Sequence, residues 1–128
     1  MYKFKSTNDE INVNLFEFSD KISKDNLKSF QNDFDSIFSK KKPFFVIFNL
    51  LNISSFDMTF FITMLTYIHN NKALVKQYMK ASSIIVNEKY RSILNIGLKI
   101  KKPLTPNFVT SDLNQGIQFF ININEAKN

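Results

Sequence analysis

The feature that most constrains the fold is a nearly unbroken apolar run, Phe44 to Leu51, with Val46 and Ile47 at its centre. A strand with one face in water would alternate apolar and polar residues, so a continuous run predicts a strand covered on both faces. Pro43 ends the segment before it, because proline cannot continue a helix. We therefore expect a central strand over Phe44 to Leu50.

Amphipathic helices are predicted on both sides of this run. The first follows Ser23, a good N-cap residue. The second and longest is expected from Phe60 to Tyr78, a third from Tyr90 to Leu98 with its end near Gly97, and a last one after Asp112, which can cap it. The residues expected to be largely buried are Leu27, Phe30, Phe34, Val46, Ile47, Leu65, Ile84, Ile85 and Leu94.

Further strands precede and follow the central one. Alternation from Ile11 to Leu15 and the pair Tyr2 and Phe4 predict an N-terminal hairpin that turns at Thr7-Asn8-Asp9. Ser83 to Asn87 is a second buried strand, expected beside the first and parallel to it, and Phe108 to Thr110 is a short last strand.

This order of elements predicts one α/β domain over residues 1–121, a hairpin followed by βαβα. We expect a mixed sheet of four to five strands with about four helices, joined by right-handed crossovers. Residues 122–128 are expected to be a frayed tail.

Composition excludes several classes of protein. The chain has no cysteine, so it has no disulfide framework, thiolate zinc site or cysteine nucleophile, and we expect a cytoplasmic protein. No stretch reaches the ~20 apolar residues of a membrane span, so membrane insertion is not expected. The formal charge of +6 fits a weak polyanion-binding protein. However, the lysines are scattered apart from a small basic patch at Lys99-Ile100-Lys101-Lys102, and AT-rich codon usage explains a Lys-rich chain, so nucleic acid is not a favoured partner.

No catalytic, metal or cofactor site is predicted, and we do not expect an enzyme. His69 is the only histidine and is expected on the solvated surface. Ser54-Ser55 has no G-x-S-x-G context. Asp33 and Asp35 point in different directions on a helix and are expected to be solvated. Two glycines cannot form a Gly-rich phosphate cradle.

The segment after the central strand carries the most informative motif. Loops at the carboxyl ends of such strands commonly form binding sites, because the first amide groups of the next helix are free to donate hydrogen bonds there. Here Val46 to Leu50 is followed by Ile53-Ser54, then by Phe56-Asp57-Met58-Thr59 and an apolar helix. This pattern resembles the STAS domain, found in anti-sigma factor antagonists and in sulfate transporter tails, over nearly the whole chain. Gly97-Leu98 is similar to a later Gly-Leu of that family.

The resemblance assigns roles to single residues. Asn49 lies where the family usually has Asp, and Asp57 lies on the Asp of the family's loop. Met58 occupies the position of the first hydroxyl residue in that loop. Thr59 occupies the position of the second, which is the phosphoacceptor in the antagonists. Phe60 replaces the Gly that normally follows. The alternative from local chemistry is that Asp57 caps the helix and Thr59 hydrogen-bonds in its first turn.

The resemblance implies a protein interaction module with another protein as its partner. Its binding face would be the loop Ser54, Ser55, Asp57, Met58, Thr59 and Phe60 with the exposed side of the helix that follows. Exposed Met58 and Phe60 would then anchor the interface, or complete a homodimer. A binder of lipid or another small hydrophobic ligand between sheet and helices remains open, since the chain has 15 Phe.

Overall fold

A computed structural model of the chain describes residues 1–7 and 11–126. Its elements in chain order are β1 (Tyr2–Ser6), β2 (Val13–Asp20), α1 (Lys24–Ser39), β3 (Phe44–Ile53), α2 (Met58–Asn70), α3 (Lys72–Tyr78), β4 (Met79–Ile85), α4 (Glu88–Ile100), β5 (Asn107–Thr110) and α5 (Leu113–Ala126). The predicted α/β class is confirmed. The hairpin turn predicted at Asn8 and Asp9 lies outside the described residues.

The five strands form one mixed sheet in the order β1-β2-β3-β4-β5. β1 is antiparallel to β2, and the other neighbouring pairs are parallel. The predicted parallel pair of buried strands is confirmed, since Phe48 of β3 lies beside Ile84 of β4. β4 begins at Met79, earlier than predicted, directly after α3.

The strand order explains where the helices lie. Each step from β2 to β5 moves to the next strand in the same direction, so right-handed crossovers place α1, α2 and α4 on one face. The core on this face is rich in Phe: the ring of Phe16 lies 5.1 Å from Phe30, 5.4 Å from Phe34 and 5.9 Å from Phe48, between centroids. All residues predicted to be largely buried are buried except Leu65, which packs partly exposed against this core.

α5 covers the opposite face. Phe120 stacks on Phe45 with ring centroids 4.7 Å apart, and the helix contacts β3, β4 and β5. At Gly116 a Cβ would stand 2.8 Å from Ile85 Cδ1, so this glycine allows close approach to the sheet. The helix continues to Ala126, so residues 122–126, expected as a frayed tail, are helical, and Ile123 packs against this second core.

The segment predicted as one long helix from Phe60 to Tyr78 is two helices, so residues 1–7 and 11–126 form five helices where about four were expected. Asn71 has φ −106° and ψ 31°, which ends α2. Its Nδ2 donates to the carbonyl oxygen of Tyr67 at 2.9 Å. An asparagine side chain that bonds the backbone in this way competes with the helical hydrogen bond.

Asp33 and Asp35 are not simply solvated, as the sequence had suggested. The hydroxyl of Tyr2 donates to Asp33 Oδ2 at 2.7 Å, and the hydroxyl of Tyr67 donates to Asp35. Burial, followed by the hydrogen bond to the carboxylate, raises the pKa of both tyrosines well above the ordinary value. The two pairs tie α1 to β1 on one side and to α2 on the other.

Helices α2 and α4 approach each other at Gly97. A Cβ at this position would stand 2.7 Å from two ring carbons of Phe61 and 3.2 Å from Met58 Sδ. The absence of a side chain at Gly97 therefore allows this approach, which explains the Gly in the motif Gly97-Leu98.

We predict that Gly97→Ala lowers the free energy of unfolding by about 1–2 kcal/mol, because the methyl group overpacks the contact with Phe61. The loss occurs although Ala favours a helix by about 1 kcal/mol over Gly. Ser92→Ala, at an exposed position of the same helix, is the control and should not destabilise. Chemical denaturation measures both, and a Gly97→Ala protein as stable as the wild type would contradict the packing argument.

Candidate functional site

The candidate site lies at the edge of the sheet where the parallel strands β2, β3 and β4 end. The loop between β3 and α2, with the first residues of that helix, forms residues 54–59, called here the 54–59 loop. Ser54, Ser55, Asp57 and Thr59 are exposed, whereas Phe56 is half-buried. The structure therefore presents four polar side chains of the sequence-predicted face together.

Three neighbouring elements hold the 54–59 loop in place. The N–H of Ser54 donates to the carbonyl oxygen of Asp20 at 3.0 Å, and the hydroxyl of Tyr90 donates to the carbonyl oxygen of Ser54 at 3.1 Å. Phe56 packs against Phe61, with ring centroids 5.3 Å apart. The loop is thus anchored to the end of β2, to α2 and to α4.

Asp57 is the N-cap of α2. Its Oδ1 accepts from the N–H of Thr59 at 2.9 Å and from the N–H of Phe60 at 3.4 Å. Thr59 is the second residue of the helix, and its carbonyl oxygen accepts from Thr63 Oγ1 at 2.8 Å. Asp57 therefore has the capping role that local chemistry indicated, and the backbone N–H of Thr59 is one of the two groups that it caps.

Met58 and Phe60 are not the exposed apolar groups that the sequence suggested. Met58 is half-buried against Gly97, and Phe60 is half-buried against the main core. Helical spacing alone could not show that α4 approaches α2 closely enough to cover Met58.

A groove of about 350 Å³ lies beside the loop. Its lining residues are Lys21, Ile22, Ser55, Asp57 and Phe60. Lys21 and Ile22 were not among the site residues predicted from the sequence. The available signal was that both directly follow β2, and the loops after neighbouring parallel strands meet at one edge.

Asn49 does not belong to this group. It is buried within β3, where its Oδ1 accepts from the N–H of Leu51 at 3.1 Å and its Nδ2 donates to Glu17 Oε2 at 3.4 Å. It therefore helps to join β2 and β3 rather than to line the groove.

The space between the sheet and the helices α2 and α4 is small. The cavity there has about 30 Å³, bounded by apolar residues such as Phe48 and Leu98. This is room for a water molecule or two, whereas pockets for drug-sized ligands have ~300 Å³ or more. His69 lies at its rim, half-buried, with Nε2 2.7 Å from the carbonyl oxygen of Lys102. His69 is therefore not the solvated histidine that the sequence suggested.

Over residues 1–7 and 11–126, no three His, Asp or Glu side chains come together in a way that could hold a metal ion. In the same ranges, every helix is too short or too polar to cross a bilayer.

We predict that Asp57→Ala lowers the free energy of unfolding by about 1 kcal/mol, because two N–H groups at the start of α2 lose their acceptor. Asp57→Asn keeps an oxygen that can accept the same bonds and should stay close to the wild type. Urea denaturation compares the three proteins. Equal losses for Ala and Asn would mean that the negative charge, rather than the cap, stabilises the helix.

The comparisons with known proteins concern the fold. Neither the protein-family models nor the curated protein sequences gave a match. Among solved structures, the chain is similar to an uncharacterized protein of the DUF3478 family from Shewanella loihica PV-4, which has a SpoIIAA-like fold. The identity is 9% and the TM-score 0.61, over 93% of this chain and 91% of the other. The SpoIIAA-like fold is the fold of STAS domains and anti-sigma factor antagonists, so this chain has the STAS fold that its sequence predicted.

Proposed function

We propose that this chain is a non-enzymatic, cytoplasmic STAS-like module that binds another protein through the 54–59 loop and the start of α2. The observation that carries the proposal is the anchoring of Ser54 by Asp20 and Tyr90. A loop that is already ordered loses little conformational entropy when it binds, which favours affinity.

The groove beside the loop supplies a suitable surface. Phe60 and Ile22 give it apolar contact area, while Lys21, Ser55 and Asp57 provide polar groups around it. Protein interfaces combine an apolar centre with a polar rim in this way. A partner side chain that fills the groove can therefore also bond to the rim.

A catalytic role for this edge has little support. His69 is near the carboxyl end of α2, and a helix rises 1.5 Å per residue, so about 15 Å of helix separates it from Thr59. Asp57 already accepts two backbone hydrogen bonds. The single histidine of the sequence is therefore too far away to act as a general base on the loop hydroxyls, and Asp57 is engaged as a helix cap.

The regulatory part of the proposal is that a phospho-switch at Thr59 is degenerate. A phosphate on Thr59 would interact favourably with the dipole at the helix N-terminus. However, it would lie close to the Asp57 carboxylate, and the two negative charges would repel each other. Phe60 is bulky where a kinase of the antagonist type would meet Gly. We therefore propose that binding does not require modification of Thr59.

If the 54–59 loop is the binding face, one bulky substitution on it should weaken partner binding. After capture of the partner from the native host, Ser55→Arg should weaken binding at least tenfold, about 1.4 kcal/mol, because the arginine occupies the groove. Ser39→Arg is the matched control: this exposed serine ends α1, at the opposite edge of the sheet. Calorimetry measures both. Equal affinities would contradict the proposed face, and loss of self-association in Ser55→Arg would identify the partner as a second copy.

The degenerate switch predicts a different pattern at Thr59. Thr59→Ala should leave partner affinity nearly unchanged and lower stability by about 1 kcal/mol or less. Thr59→Glu should also be mild, because a carboxylate is favourable in the first turn of a helix. If Thr59→Glu lowers partner affinity tenfold and Thr59→Ala does not, partner binding is sensitive to negative charge at this position. The switch would then be active.

A further inference from the structure

The outer face of α4 carries an apolar ridge that the proposed function does not use. Ile93 is 41% exposed, Ile96 54% and Ile100 61%. Their spacing of three and four residues places them in one line along the helix. These three residues are called here the α4 ridge.

The segment that carries the α4 ridge is rich in positive charge. Residues 88–102 contain one carboxylate, Glu88, and five cations: Lys89, Arg91, Lys99, Lys101 and Lys102. Glu88 pairs with Arg91 at 2.9 Å. Lys89 and Lys99 are exposed. This short segment therefore supplies most of the net charge of +6 of the whole chain.

We propose that α4 docks this protein on an anionic lipid surface. The helix would lie in the plane of the headgroups, with the isoleucines at the acyl boundary and the lysines on the acidic headgroups. This inference is independent of the proposed function, because it rests on a different surface.

Charge and shape favour a lipid surface over the other occupants. A second copy of the chain would bring two cationic segments together, which repel each other. A protein groove is favoured by aromatic or arginine anchors, but the ridge is aliphatic, and Arg91 is engaged by Glu88 and by the carbonyl oxygen of Val109 at 2.9 Å. A fluid lipid surface accepts a convex ridge without matching its shape.

The test is co-sedimentation of the full chain with two kinds of vesicle. The probes are phosphatidylcholine alone and an equimolar mixture of phosphatidylcholine with phosphatidylserine. We expect partitioning onto the mixed vesicles to be at least tenfold stronger, since each lysine near an anionic surface contributes roughly fivefold. Equal binding to both vesicles, or binding to neither, would overturn the proposal.

The ridge is tested by the double change Ile96→Ser and Ile100→Ser. It should reduce partitioning onto the mixed vesicles roughly tenfold or more, because two apolar side chains no longer enter the interface. Leu74→Ser on α3 is the matched control, since Leu74 is also an exposed apolar residue, at 37%. It should bind as the wild type does.

The charge is tested by Lys89→Gln with Lys99→Gln, which should also reduce partitioning roughly tenfold or more. Lys28→Gln with Lys40→Gln removes the same charge from exposed positions of α1 and its C-cap and should bind nearly normally. Circular dichroism checks that each variant folds. If the lysine changes on α4 reduce partitioning onto the mixed vesicles but the isoleucine changes do not, α4 is a general polyanion site. The proposal of lipid docking would then be wrong.

Discussion

The fold depends on the burial of β3 on both faces. Phe44, Val46, Phe48 and Leu50 face the core under α1, α2 and α4, while Phe45 and Ile47 face α5. The sequential strand order places the crossover helices α1, α2 and α4 on one side, and the segment after β5 covers the other side. This explains why α5 is long, why Gly116 lets it approach the sheet, and why residues 122–126 continue the helix.

The same arrangement builds the candidate site. Parallel neighbours β2 and β3 end at one edge, which brings the carbonyl oxygen of Asp20 to the N–H of Ser54. α4 packs on α2 through Gly97, and this contact brings the hydroxyl of Tyr90 to the loop. The loop is ordered because core packing has already fixed the elements around it.

α4 connects the two proposed surfaces. Tyr90 holds the 54–59 loop, and Ile93 begins the ridge nearly one turn later on the same helix. A lipid-docked α4 would therefore place a protein-binding loop close to a membrane surface, where a partner on the same membrane would meet it at raised effective concentration.

The sequence by itself determined the features that depend on residues close to one another along the chain. Periodicity predicted the central strand, its parallel neighbour and most of the core, and Ser23 and Asp57 were identifiable as caps because a cap bonds residues two or three positions ahead. The motif that resembles the STAS domain likewise predicted the fold.

Only the tertiary structure decided what each motif residue contacts. Contacts between residues distant along the chain give Asp33 and Asp35 their tyrosine partners, bury Met58 and place Lys21 beside the loop. Such contacts follow from how the helices pack on the sheet, and no local pattern encodes them.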